Sequence, residues 1–109
     1  MTSTTPPKLT DAQLQPLLAQ LPAWRMSTER GGTITREFVF QDFAQAWGFM
    51  SQVAVVAEKR NHHPEWSNVY NRVDVTLTTH DADGLSMNDI ALARLMDQVA
   101  EALAGQAGG

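Results

Sequence analysis

The sequence contains no cysteine among its 109 residues. That absence excludes disulfide bonds, thiolate nucleophiles and cysteine-ligated zinc. No apolar run approaches the roughly 20 residues that cross a bilayer, and the first residues lack the charged-then-apolar order of a secretory signal. We therefore expect a cytoplasmic protein without a membrane-spanning segment.

Basic residues are also few. Eight Lys and Arg stand against twelve Asp and Glu, which leaves a formal net charge of −4, and the densest basic cluster is only Lys59-Arg60. Nucleic-acid binding needs clustered positive charges that neutralise many phosphates together. The sequence therefore predicts no nucleic-acid partner. It also contains neither a glycine-rich phosphate loop nor a G-x-S-x-G nucleophile motif.

The length is sufficient for one domain with a modest core, for which association with a second copy is a reasonable expectation. Pro6-Pro7 and the lack of apolar side chains to bury predict a flexible tail over residues 1–9. We place the domain at residues 10–104 and a second flexible tail at residues 105–109.

Three segments show helical periodicity. Thr10 and Gln13 form a capping-box pattern before a first helix, which Pro16 should keep short or locally distorted. Asp42 can cap a second helix, and Asn61 can end it in a left-handed conformation. We predict a core-facing apolar stripe on that helix at Phe43, Ala46, Trp47, Met50, Val53, Ala54 and Ala57, and a last helix after Ser86 with Leu92, Leu95, Met96, Val99 and Leu103.

Alternation with a period of two predicts strands between these helices. Residues 24–27 and 33–40 form a hairpin across Gly31-Gly32, and a further strand runs from Arg72 through Leu77. The order helix, hairpin, helix, strand, helix indicates an α+β domain with an antiparallel sheet and its helices on one face.

The three histidines, His62, His63 and His80, all lie at the ends of predicted elements. Loops and strand ends are where a rigid scaffold presents reactive groups, and the imidazole pKa of about 6.5 suits proton transfer near neutral pH. Glu58 and Asp89 are the acids best placed along the chain to orient these rings. The residues alone therefore predict a small α+β domain that could carry a histidine acid/base site.

Other interpretations remain open from the residues alone. The histidines could be structural or surface residues, or could bind zinc together with a carboxylate. However, no His-x-x-x-His or Glu-x-x-His spacing occurs. We predict that Glu65, Asp81 and Asp83 are solvated turn residues, and that Trp24, Trp47 and Trp66 lie in the core or an interface.

The segment from Glu58 to Asp89, EKRNHHPEWSNVYNRVDVTLTTHDADGLSMND, carries a distinctive pattern. An acidic residue precedes His-His-Pro by four positions, and Glu-Trp and Asn-Val-Tyr-Asn follow it. A strand ending in Thr-His, a Gly-Leu-Ser turn and an aspartate complete the pattern. This segment, together with the upstream FVFQDFAQAWGFM of residues 38–50, resembles the pterin-4a-carbinolamine dehydratases over nearly the whole chain except its two ends.

The resemblance implies a reaction and a set of residues. These enzymes dehydrate 4a-hydroxytetrahydrobiopterin to the quinonoid dihydropterin, without cofactor or metal, and so recycle the pterin of aromatic amino acid hydroxylases. It implies that His63 and His80 are the principal acid/base pair and that His62 assists. Substrate contacts would come from the tripeptides Asn61-His62-His63 and Thr78-Thr79-His80, and the supporting residues would be Glu58, Asp89 and Trp66.

The resemblance also implies an architecture and partners. We expect a four-stranded antiparallel sheet with three helices on one face, and dimers, or tetramers as in animal members, that extend the sheet. Functional coupling to phenylalanine hydroxylase is a further expectation. Two alternatives follow from the same family: a non-catalytic dimerisation cofactor of a transcription factor, or the same site acting on another pterin, such as in molybdopterin metabolism.

Overall fold

The computed structural model describes residues 5–107, so the outer parts of both predicted tails lie outside the described residues. This part of the chain forms one α+β domain with three helices and an open four-stranded antiparallel sheet, as predicted. No helix in this range is long and apolar enough to cross a membrane. The elements in chain order are α1 (Asp11–Ala19), β1 (Arg25–Ser27), β2 (Thr33–Val39), α2 (Phe43–Arg60), β3 (Glu65–Val69), β4 (Arg72–Leu77) and α3 (Met87–Ala107).

The sheet has the strand order β1-β2-β4-β3, with every neighbouring pair antiparallel. The two central strands lie with Ile34 opposite Leu77 and Phe38 opposite Val73. Alternate residues of β4 point to the helices and are buried, as the period of two predicts. They pack with buried side chains of α2 and α3, among them Phe49, Val53, Ile90 and Met96, in a single core.

The predicted helix ends are confirmed. The Asp42 carboxylate accepts a hydrogen bond from the backbone N–H of Gln45 at 2.8 Å, and Asn61 ends α2 in the left-handed region at φ 51°. Thr10 and Gln13 form the complete capping box of α1. That helix is short, nine residues, and contains Pro16.

The predicted core face of α2 is partly wrong. Phe43 is 49% exposed and Trp47 is 56% exposed, whereas Phe49, which the predicted stripe omits, is fully buried beside Val53. The helix carries apolar side chains around more than half of its circumference, so periodicity alone could not identify the side that packs on the sheet. Packing against β2 and β4 selects the narrower stripe of Ala46, Phe49, Val53 and Ala57.

The periodicity also missed β3. This strand pairs with β4 through a two-residue connection, Tyr70 and Asn71, in which Tyr70 has a positive φ of 52°. It is an edge strand whose residues alternate only between partly buried and exposed. Without a fully buried face, its sequence lacks the apolar and polar contrast that identifies a strand.

The structure also corrects both predicted tail boundaries. Leu9 is buried in the core, and its backbone N–H donates to the Leu85 carbonyl at 2.8 Å, so it belongs to the domain. At the other end, α3 continues through Gly105 to Ala107. One glycine near a helix end costs only about 1 kcal/mol relative to alanine, too little to end the helix.

Candidate active site

The end of α2 positions two of the histidines. Because Asn61 is left-handed, the chain reverses, and the backbone N–H of His62 donates to the Ala57 carbonyl at 3.0 Å. This arrangement satisfies a carbonyl at the end of the helix. A proline disfavours a helical backbone in the residue before it, so Pro64 helps to end the helical path at His63, and β3 begins at the next residue, Glu65. The His-His pair is thereby held at the junction of α2 and β3.

The end of β4 positions the third histidine. Beyond the last strand residue, the Thr78 hydroxyl donates to the Gly32 carbonyl at 2.7 Å, and Thr79 forms an isolated bridge with Gly84. His80 follows at the start of a 3₁₀ turn. Since β4 lies beside β3, this turn comes close to the junction that carries His62 and His63.

Two glycines allow the turn after β1 to approach the turn after β4. A Cβ atom on Gly31 would lie 1.9 Å from the Asp83 carbonyl oxygen, and one on Gly84 would lie 2.6 Å from the Gly31 carbonyl oxygen. Both glycines also have positive φ values. Any larger residue at these positions would push the two turns apart.

These segments surround an open cavity of about 490 Å³. This volume lies in the range of about 300–1,000 Å³ that is typical of small-molecule sites. All six residues predicted to contact substrate line it, namely Asn61, His62, His63, Thr78, Thr79 and His80. The predicted supporting residues do not line it, and Trp66 packs partly buried against the core.

His62 contacts a buried acid. Its Nε2 atom lies 2.6 Å from Oδ1 of Asp89, whose side chain has no exposed surface. The His62 ring is itself mostly covered, with 11% of the side chain exposed. A buried carboxylate with this contact can fix the orientation of the ring.

His63 contacts an exposed acid instead. Its Nε2 atom lies 2.9 Å from Oε1 of Glu58, and 82% of the Glu58 side chain is exposed. The two neighbouring histidines therefore have carboxylate partners in opposite environments. Water competes with the Glu58 contact but not with the Asp89 contact, so only His62 is held rigidly.

An ion pair that sequence reasoning missed also borders the cavity. Arg30 donates two hydrogen bonds to Glu65, at 2.8 and 3.0 Å. The prediction of Glu65 as a turn residue was wrong, because it is the first residue of β3. These hydrogen bonds lower the pKa of the Glu65 carboxyl, against the opposing effect of partial burial, and the charge on His80 lowers it further. The pair thus brings a carboxylate near His80.

No sequence signal points to this ion pair, since Arg30 stands in a turn that has no periodicity and is 35 residues away from Glu65. Asp81 also lines the cavity, although it was predicted to be only a solvated turn residue. Asp83 is exposed and left-handed at the predicted turn.

Replacing Arg30 with glutamine should change how the free energy of unfolding depends on pH in the acid range. The pKa of Glu65 in the folded protein lies below its ordinary value of 4.5. The ion pair therefore stabilises the fold above that pH, and this contribution is lost as the pH falls through the lowered folded value. We expect Arg30→Gln to be less stable than wild type near neutral pH and equally stable in strong acid.

Urea unfolding at a series of pH values measures this difference. Arg25→Gln is the matched control, because Arg25 is an exposed arginine on β1 that forms no ion pair with any residue in the described range. A stability difference between Arg30→Gln and wild type that does not change with pH would contradict the prediction.

The metal site left open by the sequence has no preformed ligand cluster in residues 5–107, where no three His, Asp or Glu side chains are placed to hold an ion. The Nε2 atoms of His62 and His63 contact two different carboxylates. That the activity needs no metal stays a prediction.

Comparison with known sequences extends these observations. The sequence model of the family described as Pterin 4 alpha carbinolamine dehydratase matches residues 7–99. A Novosphingobium aromaticivorans protein, named as a candidate pterin-4-alpha-carbinolamine dehydratase, is 62% identical over 90 residues, which cover 83% of this chain and 93% of that protein. A Rhizobium meliloti protein with the same name is 54% identical over 96 residues, which cover 88% of this chain and 91% of that protein.

Solved structures share the fold. The crystal structure of a transcriptional coactivator/pterin dehydratase from Brucella melitensis has a TM-score of 0.80 and 48% identity, covering 85% of this chain and 98% of that chain. A pterin dehydratase-like protein described as a RuBisCO assembly factor in the alpha-carboxysome has a TM-score of 0.63 and 24% identity. The match covers 72% of this chain and 89% of that chain. The second likeness shows the fold alone.

Proposed function

Because this chain belongs to the pterin 4 alpha carbinolamine dehydratase family, we propose that it removes water from 4a-hydroxytetrahydrobiopterin to give the quinonoid dihydropterin. Membership of the family supports dehydratase activity. The observation that carries the proposal is the convergence of His62, His63 and His80 on one cavity of small-molecule size. The physiological role would be to recycle the pterin that aromatic amino acid hydroxylases use, phenylalanine hydroxylase among them.

The reaction needs two proton transfers. The C4a–O bond breaks as a proton is delivered to the departing hydroxyl, which leaves as water. The N5–H bond loses its proton to a base, and the remaining electron pair forms the C4a=N5 double bond. No electron is transferred to or from another molecule. Histidine can serve as acid in its charged form and as base in its neutral form, and each such transfer typically contributes about 10²- to 10⁴-fold.

We assign the acid and base roles to His63 and His80, and an assisting role to His62. The first two side chains are the more exposed ones at the cavity, so they can exchange protons with water between turnovers. Polar groups of residues 61–63 and 78–80 would hydrogen-bond the pyrimidine edge of the pterin, which has donors and acceptors along one side. Both segments line the cavity.

The test is dehydration of a 4a-hydroxytetrahydropterin generated in place by a hydroxylase and followed by ultraviolet absorbance. The protein should accelerate the loss of the carbinolamine, and EDTA should leave the acceleration unchanged. Activity that disappears in EDTA and returns with zinc would overturn the metal-free mechanism. A folded protein that gives no acceleration would contradict the proposal and favour another pterin, such as a molybdopterin precursor.

A protein-binding role is the second candidate, because α2 exposes large apolar side chains. The rings of Phe43 and Trp47 lie on its outer face with their centroids 5.9 Å apart, and Val55 is 70% exposed. The Brucella protein of known structure is described as a transcriptional coactivator as well as a pterin dehydratase. A protein without turnover that still associates through this face would support the binding role in place of catalysis.

We also propose that the protein forms dimers that extend the sheet, and that these dimers can pair as tetramers. The edge strand β3 and its turn carry two exposed large side chains, Val69 and Tyr70. An uncovered edge strand is a ready template for pairing with another chain. Sedimentation equilibrium should show no monomer at micromolar concentration. A wild-type monomer, or a dimer that Trp47→Ser converts to monomer, would contradict sheet extension.

A further inference from the structure

The carboxylate of Asp89 is completely buried and has three hydrogen-bond partners. Its Oδ1 atom contacts Nε2 of His62 at 2.6 Å. Its Oδ2 atom accepts from the Thr79 hydroxyl at 2.6 Å and from the backbone N–H of Ser86 at 2.9 Å. The Thr79 and Ser86 hydroxyl oxygens lie 2.6 Å apart, and all of these groups except His62 are fully buried or nearly so. The site is therefore a closed polar network beneath the cavity.

The direction of each hydrogen bond in this network follows from the number of hydrogens. The Thr79 hydroxyl has one hydrogen, which it gives to Asp89, so the Ser86 hydroxyl must be the donor in the contact between the two hydroxyls. The Ser86 oxygen in turn accepts from the backbone N–H of Asn88 at 3.2 Å. The chain of donors thus runs from the first turn of α3 through Ser86 and Thr79 to the carboxylate.

This arrangement leaves one role for His62. Oδ2 already accepts two hydrogen bonds. With Asp89 as a carboxylate, which only accepts, Nε2 of His62 carries the hydrogen that points to Oδ1. The described residues form no hydrogen bond with the other ring nitrogen, Nδ1, and they leave no buried side-chain nitrogen or oxygen without a hydrogen-bond partner. Nδ1 therefore reaches solvent, and His62 lines the cavity.

We propose that the hydroxyls of Thr79 and Ser86 are positioning groups that fix His62 as the tautomer protonated on Nε2, so that its unprotonated Nδ1 faces the cavity as a hydrogen-bond acceptor for the substrate and assists His63 and His80. The part concerning the substrate rests on the proposed dehydratase function. The tautomer itself does not. Without the Thr79 hydroxyl, Oδ2 loses a donor and the carboxylate can rotate, so the contact that holds the His62 ring weakens.

Long-range ¹H–¹⁵N correlation spectra of the uniformly labelled protein test the tautomer directly. In wild type above the pH at which the ring titrates, we expect the Nε2-protonated form of His62 alone. In Thr79→Val we expect the Nδ1-protonated form to become detectable, and in Thr79→Ser we expect the wild-type pattern. Thr76→Val is the matched control, since it removes a hydroxyl from β4 that has no hydrogen bond to the described residues.

Kinetics supply the second measurement. Thr79→Val should lower kcat by about tenfold or more, as is typical when a group that orients a reactive side chain is removed. KM should change less, because the Thr79 hydroxyl donates to Asp89 and the other groups that line the cavity remain, and Thr79→Ser should recover most of kcat. A wild-type His62 protonated on Nδ1 overturns the proposal, even if Thr79→Val does not fold. So does a Thr79→Val protein whose tautomer and kcat match those of Thr76→Val.

The two measurements also separate this proposal from the proposed function. If His62 shows the expected tautomer and the Thr79 variants shift it, but the wild-type protein does not dehydrate a 4a-hydroxytetrahydropterin, the positioning network is supported and the dehydratase function fails. If the protein dehydrates the pterin but the tautomer is the opposite one, the positioning network is overturned and the function stands.

Discussion

Replacing both His63 and His80 with alanine should nearly abolish acceleration of pterin dehydration while the protein remains folded. Each single replacement should lower turnover by at least about tenfold, since a proton transfer by a positioned side chain typically contributes about 10²- to 10⁴-fold. Neither residue belongs to the core: both side chains lie at the cavity and are exposed to solvent. The measurement is the ultraviolet assay with the single and double variants.

Circular dichroism and thermal unfolding of the same variants provide the structural control. Gln52→Ala, an exposed replacement on α2 away from the cavity, should keep full activity. If the His63 or His80 variant loses its folded spectrum, the histidine is structural, as the alternative interpretation of the sequence holds. If both variants fold and turn over normally, the acid and base roles belong to other groups.

The replacement Asp89→Asn should be far more damaging to stability than Glu58→Gln, although each removes one carboxylate that contacts a histidine. Asp89 is fully buried and accepts hydrogen bonds from His62, Thr79 and the Ser86 backbone. An amide cannot accept all three, and each buried polar group left without a partner costs about 1–3 kcal/mol. Glu58 is exposed, and water can replace it as the partner of His63.

Urea unfolding of the two variants at neutral pH measures this contrast. Asp89→Asn should lower the denaturation midpoint clearly, and Glu58→Gln should lie within the experimental error of wild type. Equal midpoints for the two variants would mean that the buried network contributes no more than the exposed pair. Thr76→Val, on β4, controls for a polar change that leaves the network intact.

The parts of the fold that the sequence predicted are those encoded by neighbours along the chain. Asp42 and Asn61 mark the ends of α2 because their side chains and backbones act within one helical turn. The alternation in β4 is visible because one of its faces is fully buried. The strand β3 has no such face, so its pairing with β4 could not be found from local alternation.

Of the candidate site, the sequence predicted the histidines and their two orienting acids but not which acid contacts which histidine. His62, His63 and His80 lie at element ends, which the sequence shows, and the resemblance to a known family added the tripeptides that line the cavity. The contacts of Glu58 with His63 and of Asp89 with His62 were expected only as a general orienting role. The pairing of Asp89 with His62 depends on the approach of α3 to the end of α2, whereas Glu58 lies on α2 itself, five residues before His63.

By itself, the sequence determined the α+β class, the capped helices and the histidines, because helix caps and periodic burial depend on residues close together in the chain. Only the tertiary structure decided that Arg30 joins Glu65 at the cavity, that α2 buries Phe49 and exposes Trp47, and that Thr79 holds Asp89. These contacts join separate elements, and their energies depend on how the helices and the sheet pack, which no local pattern encodes.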